Sequence, residues 1–278
     1  MFRFGLAGMR LHSWLVLLAG LGLVVSASAV ETVRISGTGS GVGGMQLLAD
    51  AFMSAHPGVK VDVLPALGSS GGISALIAGK LDLALSNRLP NSKELAQEAT
   101  LTAIEYARTP FVVAVHRDLG ITALSASALA ALYAAGPASF PNGKRARPVM
   151  RLNDSTDMNL LKSFGPEIAS AVEQASARRG MLTANTDSEA AEMVETVPGA
   201  FTLSTLAQIQ SERRPLVALA IDGKVPSTAN LAAGSYPYFK SLYLVAGANT
   251  HAAARQFMAF VGSPAARKLL NAHGHLPR

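Results

Sequence analysis

The stretch TVRISGTGSGVGGMQLLADAFMSAHPGVKVDVLPALGSSGGISALIAGKLDLALS, residues 32–86, decides the fold class of this chain. Three β-rich runs (32–36, 59–64 and 81–86) alternate in it with two helical runs (45–55 and 73–78). Each connection between consecutive strands is long enough to hold a crossover helix, which is what parallel strands require. The sequence therefore predicts an α/β fold whose sheet is covered by helices on both faces.

The same alternation continues through the rest of the chain. Strands are predicted at 111–115, 149–152, 200–203, 215–221 and 241–245, and helices at 125–135, 156–164, 166–177, 251–261 and 264–272. A segment rich in glycine and proline, 136–148, predicts a loop. No repeat, linker-like composition or charge shift marks a boundary, so composition alone is compatible with one large or two smaller domains.

The first 29 residues have the pattern of an export signal. Arg3 and Arg10 form a basic start, an apolar and glycine run covers 14–25, and residues 27–29 (ASA) match a cleavage site. The apolar run is much shorter than the roughly 20 residues that a bilayer-spanning helix needs, although a retained anchor helix is the alternative. We expect cleavage after Ala29 and, because the chain has no cysteine to lipidate, a free periplasmic protein.

Composition excludes several classes of function. The absence of cysteine excludes a disulfide scaffold, a thiolate metal site and a cysteine nucleophile. The formal net charge of +6 falls to +4 once Arg3 and Arg10 leave with the signal, and no long basic run remains, so nucleic acid is not an expected partner. The closely spaced His273 and His275 resemble a solvated tail more than a metal site, and neither metal nor cofactor is expected.

The first of three notable turns, 37–44, is rich in glycine and lies between a strand and a helix. Residues 39–44 formally match the dinucleotide fingerprint G-x-G-x-x-G, but the acid expected at the end of the next strand is missing, since Asp62 lies within that strand. A helix start at the carboxyl end of a strand is also suited to an oxyanion. A tight turn without a ligand is the other interpretation.

The second turn, Gly68–Gly72 (GSSGG), formally matches the hydrolase elbow G-x-S-x-G with Ser70 as nucleophile. Histidines lie downstream, but no oxyanion-forming segment precedes the serine. A serine hydrolase is therefore the enzyme alternative, and a serine-glycine turn that caps a helix is the structural one.

The third turn follows a predicted strand, where Arg151 precedes a run of helix-capping residues that ends in Ser155, Thr156 and Asp157. A planar guanidinium can hold two oxygens of an anion, and a helix start adds backbone N–H donors. An ordinary helix cap beside a surface arginine is the alternative.

Taken together, these turns resemble the phosphate-binding proteins of periplasmic ABC importers. The resemblance rests on GTGSG (37–41), GSSGG (68–72), the strand end DLALSN (82–87), Arg151 with Ser155-Thr156-Asp157, VPGAF (197–201) and Tyr236-Pro237. It extends over essentially the whole chain after the signal, and GSSGG together with the strand end is its most specific part.

The resemblance implies a two-lobed binding protein of the second periplasmic type, each lobe a mostly parallel sheet flanked by helices, with the ligand in the cleft between them. Lobe I would comprise 30–112 and 237–278, and lobe II 113–236. The ligand-binding residues implied are Ser40, Gly41, Ser69, Ser70, Asn87, Arg151, Ser155, Thr156 and Asp157. The implied function is capture of an oxyanion, phosphate first, by a monomer that is not an enzyme and that delivers it to a membrane permease. Another tetrahedral oxyanion, or a sensor role without transport, is the alternative within binding proteins.

Two departures from the family pattern concern selectivity. The family has an aspartate where this chain has Asn87, and its Ser-Gly-Thr segment is here Ser155-Thr156-Asp157. A site that prefers hydrogen phosphate needs an acceptor for the ligand's proton. Either the Asn87 amide oxygen or the Asp157 carboxylate could be that acceptor. Alternatively, Asp157 only favours the helix dipole, or the cleft no longer prefers phosphate.

Overall fold

The computed structural model describes residues 1–2, 30–134, 136–152 and 155–278. Almost all of the predicted export signal, residues 1–29, therefore lies outside the described residues. The strands are β1 (Glu31–Gly37), β2 (Val59–Val63), β3 (Leu83–Ser86), β4 (Thr102–His116), β5 (Ala123–Leu124), β6 (Ala138–Ser139), β7 (Arg145–Met150), β8 (Leu182–Thr183), β9 (Ala200–Thr205), β10 (Leu216–Ala218), β11 (Ala220–Ile221), β12 (Phe239–Ala246) and β13 (Leu276–Pro277). The α-helices are α1 (Gly39–Ala55), α2 (Gly68–Ile77), α3 (Ser92–Gln97), α4 (Ala126–Ala134), α5 (Thr156–Lys162), α6 (Pro166–Ser176), α7 (Asp187–Thr196), α8 (Leu206–Ser211), α9 (Thr228–Ala232), α10 (Ala252–Val261) and α11 (Pro264–Asn271).

The long strand β4 joins two half-sheets. Its first part, up to Pro110, pairs with β12, and its second part, Phe111–Val115, pairs with β9. The first half-sheet has the order β2-β1-β3-β12-β4, and the second continues through β9 and β7, with β10 on β4 and β8 on β7. β1, β2 and β3 are mutually parallel, as are β7, β8 and β9, whereas β12 and β4 run antiparallel to their neighbours. The predicted α/β class is confirmed.

Both half-sheets are covered by helices on both faces, as the sequence predicts. In the first, α1, α10 and α11 pack on one face around Phe52 and Phe257, and α2 packs on the other through Ile73. In the second, α4, α5 and α6 pack around Phe201, and α7 and α8 cover the opposite face. We call the two units lobe I and lobe II.

The glycine-rich segment 37–44 is not the turn that the sequence predicts, because α1 already begins at Gly39. Its glycines instead permit close packing of the helix against neighbouring elements. A Cβ at Gly43 would lie 2.6 Å from Cγ of Glu212, and one at Gly44 would lie 2.5 Å from Nε2 of His275. Glycine provides this space at the expense of helix propensity. The dinucleotide interpretation is therefore not supported: the motif is a packing surface.

Two other predicted loops also differ from the structure. GSSGG lies inside α2, which begins at Gly68, rather than forming a turn before a helix that begins at Ile73. The predicted loop 136–148 contains β6 and most of β7. In both places glycine and proline composition suggested a loop, but backbone pairing or helix packing in the tertiary structure outweighs these local preferences.

His275 lies immediately before the last strand and is wholly buried, rather than lying in a solvated tail. Its Nδ1 is 2.9 Å from the carbonyl oxygen of His273, and its Nε2 has no hydrogen-bond partner. Protonation would place a second N–H in this buried position, so burial lowers the pKa of the His275 imidazole to about 4.

We expect this imidazole to make the protein less stable in acid. Between pH 6.5 and 4 the unfolded chain protonates His275 while the folded chain does not, so stability falls as pH decreases across this window, by about 3 kcal/mol. Urea unfolding at several pH values should show this loss, and the variant His275→Gln should lack it. A His275→Gln curve parallel to that of wild type would contradict the assignment.

Candidate functional site

A cavity of about 340 Å³ lies between the lobes, where the start of α2 faces the starts of α5 and α7. It contains seven of the nine residues that the sequence analysis assigns to a ligand: Ser69, Ser70, Asn87, Arg151, Ser155, Thr156 and Asp157. Thr38, Leu67, Gly68, Gly71, Arg88, Leu152, Asn185 and Asp187 complete the wall. Segments distant in sequence meet here because β3 and β7 both end at this edge of the sheet.

The lobe I wall is the start of α2. Gly68 has φ of +72°, and no side chain caps the helix, so its first N–H groups remain available to an anion. The Ser69 hydroxyl donates to Oδ1 of Asn87 at 2.5 Å and accepts from the Asn87 backbone N–H at 3.1 Å. The Asn87 amide oxygen is therefore already engaged, which leaves its NH₂ group as a donor. This disfavours Asn87 as the acceptor for a ligand proton.

Arg88 also lines the cavity, but its charge is neutralised locally. Its guanidinium donates to both carboxylate oxygens of the buried Glu94, at 2.8 and 2.7 Å, and to the Ser70 hydroxyl at 2.9 Å. Glu94 in turn forms a capping box with Asn91 at the start of α3. The Arg88 guanidinium lowers the pKa of the Glu94 carboxyl. Arg88 thus fixes Ser70 and α3 rather than providing a free positive charge.

Arg151 lies on the lobe II wall, immediately after β7, and is only 8% exposed. One terminal nitrogen, Nη2, donates to the carbonyl oxygen of Asn185 at 3.2 Å. Its Nε and Nη1 have no hydrogen-bond partner among the described residues, although Nε lies 3.6 Å from Oδ2 of Asp157. Buried guanidinium nitrogens without partners are costly, and a bound anion in the cavity would satisfy them.

A buried charge cluster lies behind the cavity wall. Lys240 of β12, only 2% exposed, contacts the carboxylates of Asp157 and Asp187 and donates to the Ser40 hydroxyl at 3.2 Å. Asp187 also accepts from the Thr38 hydroxyl and the Ser40 backbone N–H, each at 3.2 Å. Lys240 and Asp187 were not predicted as site residues from the sequence. No motif marks them, and only the return of β12 beside α7 brings them together.

The two carboxyls of this cluster titrate differently. Burial, together with the negative charge of Asp187, raises the pKa of Asp157 despite its contact with Lys240. Burial also acts against ionisation of Asp187, but the nearby charges of Lys240 and Arg151 outweigh it and hold that pKa below its usual range. Burial alone would lower the pKa of Lys240, yet the two carboxylates raise it. Lys240 therefore keeps its proton, and Asp187 ionises more readily than Asp157.

The structure does not bring Ser40 and Gly41 to the cavity wall. The Ser40 backbone N–H is engaged by Asp187, and the Gly41 N–H donates to the carbonyl oxygen of Thr38 at 3.1 Å. A Cβ at Gly41 would lie 3.0 Å from the buried hydroxyl of Tyr106. The start of α1, which the resemblance assigns to the ligand, is here held by a carboxylate of the protein itself.

The sequence matches the family described as "PBP superfamily domain" over residues 25–265, which is most of the chain. This chain belongs to the PBP superfamily. Within the described part of this PBP-superfamily chain, no cluster of histidine and carboxylate side chains is suited to a metal ion, and no helix is long and apolar enough to cross a membrane.

Relatives of this PBP-superfamily chain include the phosphate-binding protein PstS of Bacillus subtilis strain 168. It is 23% identical over 258 residues, which cover 91% of this chain and 84% of the relative. A Clostridium perfringens substrate-binding protein solved with bound phosphate aligns with a TM-score of 0.71 at 16% identity, over 89% of this chain and 100% of the other. An ABC-type phosphate transport receptor from Vibrio cholerae aligns with a TM-score of 0.59 at 21% identity, over 89% and 100% of the two chains. The two-lobed fold is confirmed.

Proposed function

We propose that this chain is an exported solute-binding protein that captures an oxyanion, phosphate first, in the interlobe cavity and delivers it to an ABC importer. The main observation behind the proposal is Arg151, which is buried in the cavity wall and whose Nε and Nη1 have no hydrogen-bond partner within the described part of the chain. The uncapped start of α2 lies opposite and adds backbone donors. The relatives named above for phosphate binding support phosphate as the first candidate.

Thermal unfolding with phosphate, arsenate, sulfate, molybdate and tungstate tests this proposal. A ligand at 100 times its Kd should stabilise the folded protein by about 2.7 kcal/mol, whereas an anion that does not bind should leave the transition unchanged. Isothermal titration calorimetry would then give the affinity of each anion that stabilises. If none of the five anions stabilises the protein, the proposed function is wrong.

Two lobes that close on the ligand are part of the proposal, with lobe I at 30–112 and 237–278 and lobe II at 113–236. The boundaries are supported by β4 and β12, because β4 changes its partner from β12 to β9 at Pro110 and Phe111. The Phe111 N–H donates to the carbonyl oxygen of Tyr238, and this contact supports a second crossing beside the first. Binding and lobe closure would then be the whole mechanism.

We propose that the protein is not an enzyme and that Ser70 is not a nucleophile. The Ser70 hydroxyl accepts from Arg88, and no histidine is among the residues that line the cavity. A nucleophilic serine needs a base within hydrogen-bond reach. Any esterase activity of the purified protein should therefore be unchanged in Ser70→Ala, whereas a hydrolase would lose it.

The proposal also includes export to the periplasm through a cleaved signal at residues 1–29. We further propose that the protein acts as a monomer that delivers its ligand to a membrane permease. The signal pattern in the sequence supports export. N-terminal sequencing of the secreted protein would identify the cleavage site, expected after Ala29.

Asp157 is proposed as the acceptor for the proton of hydrogen phosphate. Its Oδ2 has no hydrogen-bond partner among the described residues, although Nε of Arg151 lies 3.6 Å away. The amide oxygen of Asn87 already accepts from the Ser69 hydroxyl. A carboxylate in this position accepts a hydrogen bond from the O–H of hydrogen phosphate and repels sulfate, which has no proton to donate.

We expect Asp157→Asn to lose discrimination between phosphate and sulfate, because the amide no longer repels the fully ionised anion. Calorimetric titration of wild type and variant with both anions measures the ratio of affinities. Unchanged selectivity with slightly lower stability would show that Asp157 only supports the start of α5.

A further inference from the structure

A carboxylate of lobe II occupies donors that belong to lobe I. Asp187, the first residue of α7, accepts from the Thr38 hydroxyl and the Ser40 backbone N–H at the start of α1, each at 3.2 Å. Its other oxygen accepts from Nζ of Lys240 at 2.9 Å. Asp187 is 4% exposed, so these contacts replace water almost completely.

The backbone is shaped for this contact. A Cβ built at Gly39 would lie 2.9 Å from Cβ of Asp187, so glycine at this position lets α7 approach the start of α1 closely. A hydroxyl, a backbone N–H and an ammonium around one carboxylate form the kind of donor set that binds an oxyanion. Asp187 is also part of the cavity wall, so this donor set lies next to the space that a ligand would enter.

The charges of the site balance within the protein. Lys240 and Arg151 supply two cations, and Asp157 and Asp187 supply two carboxyls that face them. The hydrogen-bonding capacity of Lys240 is taken up by Asp157, Asp187 and Ser40. An incoming dianion therefore finds free donors on Arg151 but meets a carboxylate where Lys240 and the start of α1 would otherwise attract it.

We propose that Asp187 is an internal competitor of the oxyanion and that it sets the affinity of the cavity. Its carboxylate takes the place of a ligand oxygen at Thr38, Ser40 and Lys240, and its charge opposes the anion bound at Arg151. The inference rests on the proposed function and adds to it a residue that weakens binding. Loss of an acidic side chain that contacts both lobes should then strengthen binding.

Two substitutions separate the effect of charge from the effect of occupancy. Asp187→Asn keeps the shape of the side chain and removes the charge. Asp187→Ser is too short to hold all three donors, yet serine is well tolerated in the first turn of a helix. We expect at least tenfold tighter phosphate binding by Asp187→Asn and a further gain in Asp187→Ser, with sulfate binding strengthened as well.

Glu192→Gln is the matched control, because it removes one negative charge from the same helix at an exposed position outside the cavity wall. Its affinity for phosphate should stay within threefold of wild type. Calorimetric titration measures all four proteins, and urea unfolding confirms that each variant is folded. If Asp187→Ser does not fold, the phosphate affinity of the isosteric Asp187→Asn alone tests the inference.

The outcomes distinguish this inference from the proposed function. If wild type binds phosphate and both Asp187 variants bind it equally or more weakly, the proposed function holds but Asp187 is not a competitor. Asp187 would then only stabilise the contact between the lobes. If the Asp187 variants bind phosphate and wild type does not, Asp187 is a competitor of the ligand, and the function proposed for wild type is wrong. If neither wild type nor variants bind phosphate or sulfate, both are wrong.

Discussion

Replacing Arg151 by alanine is expected to weaken phosphate binding by about 2–5 kcal/mol, or roughly thirtyfold to several thousandfold. The guanidinium is buried in the cavity wall, and its Nε and Nη1 have no partner of their own. A bound oxyanion would accept from them in a site that excludes most water, where a charged hydrogen bond is worth more than at the surface. Calorimetric titration of the purified variant measures the loss.

Arg145→Ala is the matched control, since Arg145 begins β7, the strand that Arg151 follows, but is exposed and outside the cavity wall. It should bind phosphate as wild type does. Arg151→Lys adds a test of geometry, because lysine keeps the charge but cannot present two parallel N–H donors. If Arg151→Ala loses less than tenfold in phosphate affinity, the anion binds elsewhere. The assignment of the third turn to the ligand site would then be wrong.

The second large effect is expected from Lys240→Met, which should lower the free energy of unfolding by about 3–5 kcal/mol at neutral pH. Methionine fills a similar volume but leaves Asp157 and Asp187 facing each other without the ammonium that contacts both. The cost arises from the buried, unpaired negative charge rather than from lost packing. Urea unfolding at pH 7.5 measures it.

The pH dependence of this variant identifies the cause. Without Lys240, the pKa of the buried carboxyl pair lies above that of the unfolded chain, so the folded state takes up protons as pH falls and regains stability. The difference from wild type should therefore shrink between pH 7.5 and 5.5. Lys80→Met, at an exposed turn, should change stability little at either pH. A difference that stays constant with pH would mean that packing, not charge, explains the loss.

Local motifs mark several residues that line one cavity in the structure. GSSGG, the strand end at Asn87 and the arginine after β7 follow strands of a predicted α/β sheet, and carboxyl ends of such strands meet at one edge. For that reason Ser69, Asn87 and Arg151 line one cavity although they are far apart in sequence. Arg88 was missed because its type and position gave no signal, and its pairing with Glu94 depends on how α3 packs.

The glycine motif at 39–44 led to the wrong prediction of a turn, and the reason is physical. Glycine permits a turn, a close approach to a ligand or a close approach to another element, and sequence does not distinguish these uses. The structure shows the third use, because α1 begins at Gly39 and packs where Cβ atoms would collide with Glu212 and His275.

The sequence by itself determined the α/β class, most of the helices that cover the sheet and the residues at the strand ends, because hydrophobic periodicity and turn chemistry are local. It did not predict α7 and α8, which cover one face of the second half-sheet. The tertiary structure alone decided the electrostatics of the site. Lys240 and Asp187 are 53 residues apart in the chain and meet only because β12 returns between β3 and β4 while α7 packs against the start of α1. Whether a buried charge attracts or opposes a ligand depends on the partners within a few ångströms, and those partners come from different lobes.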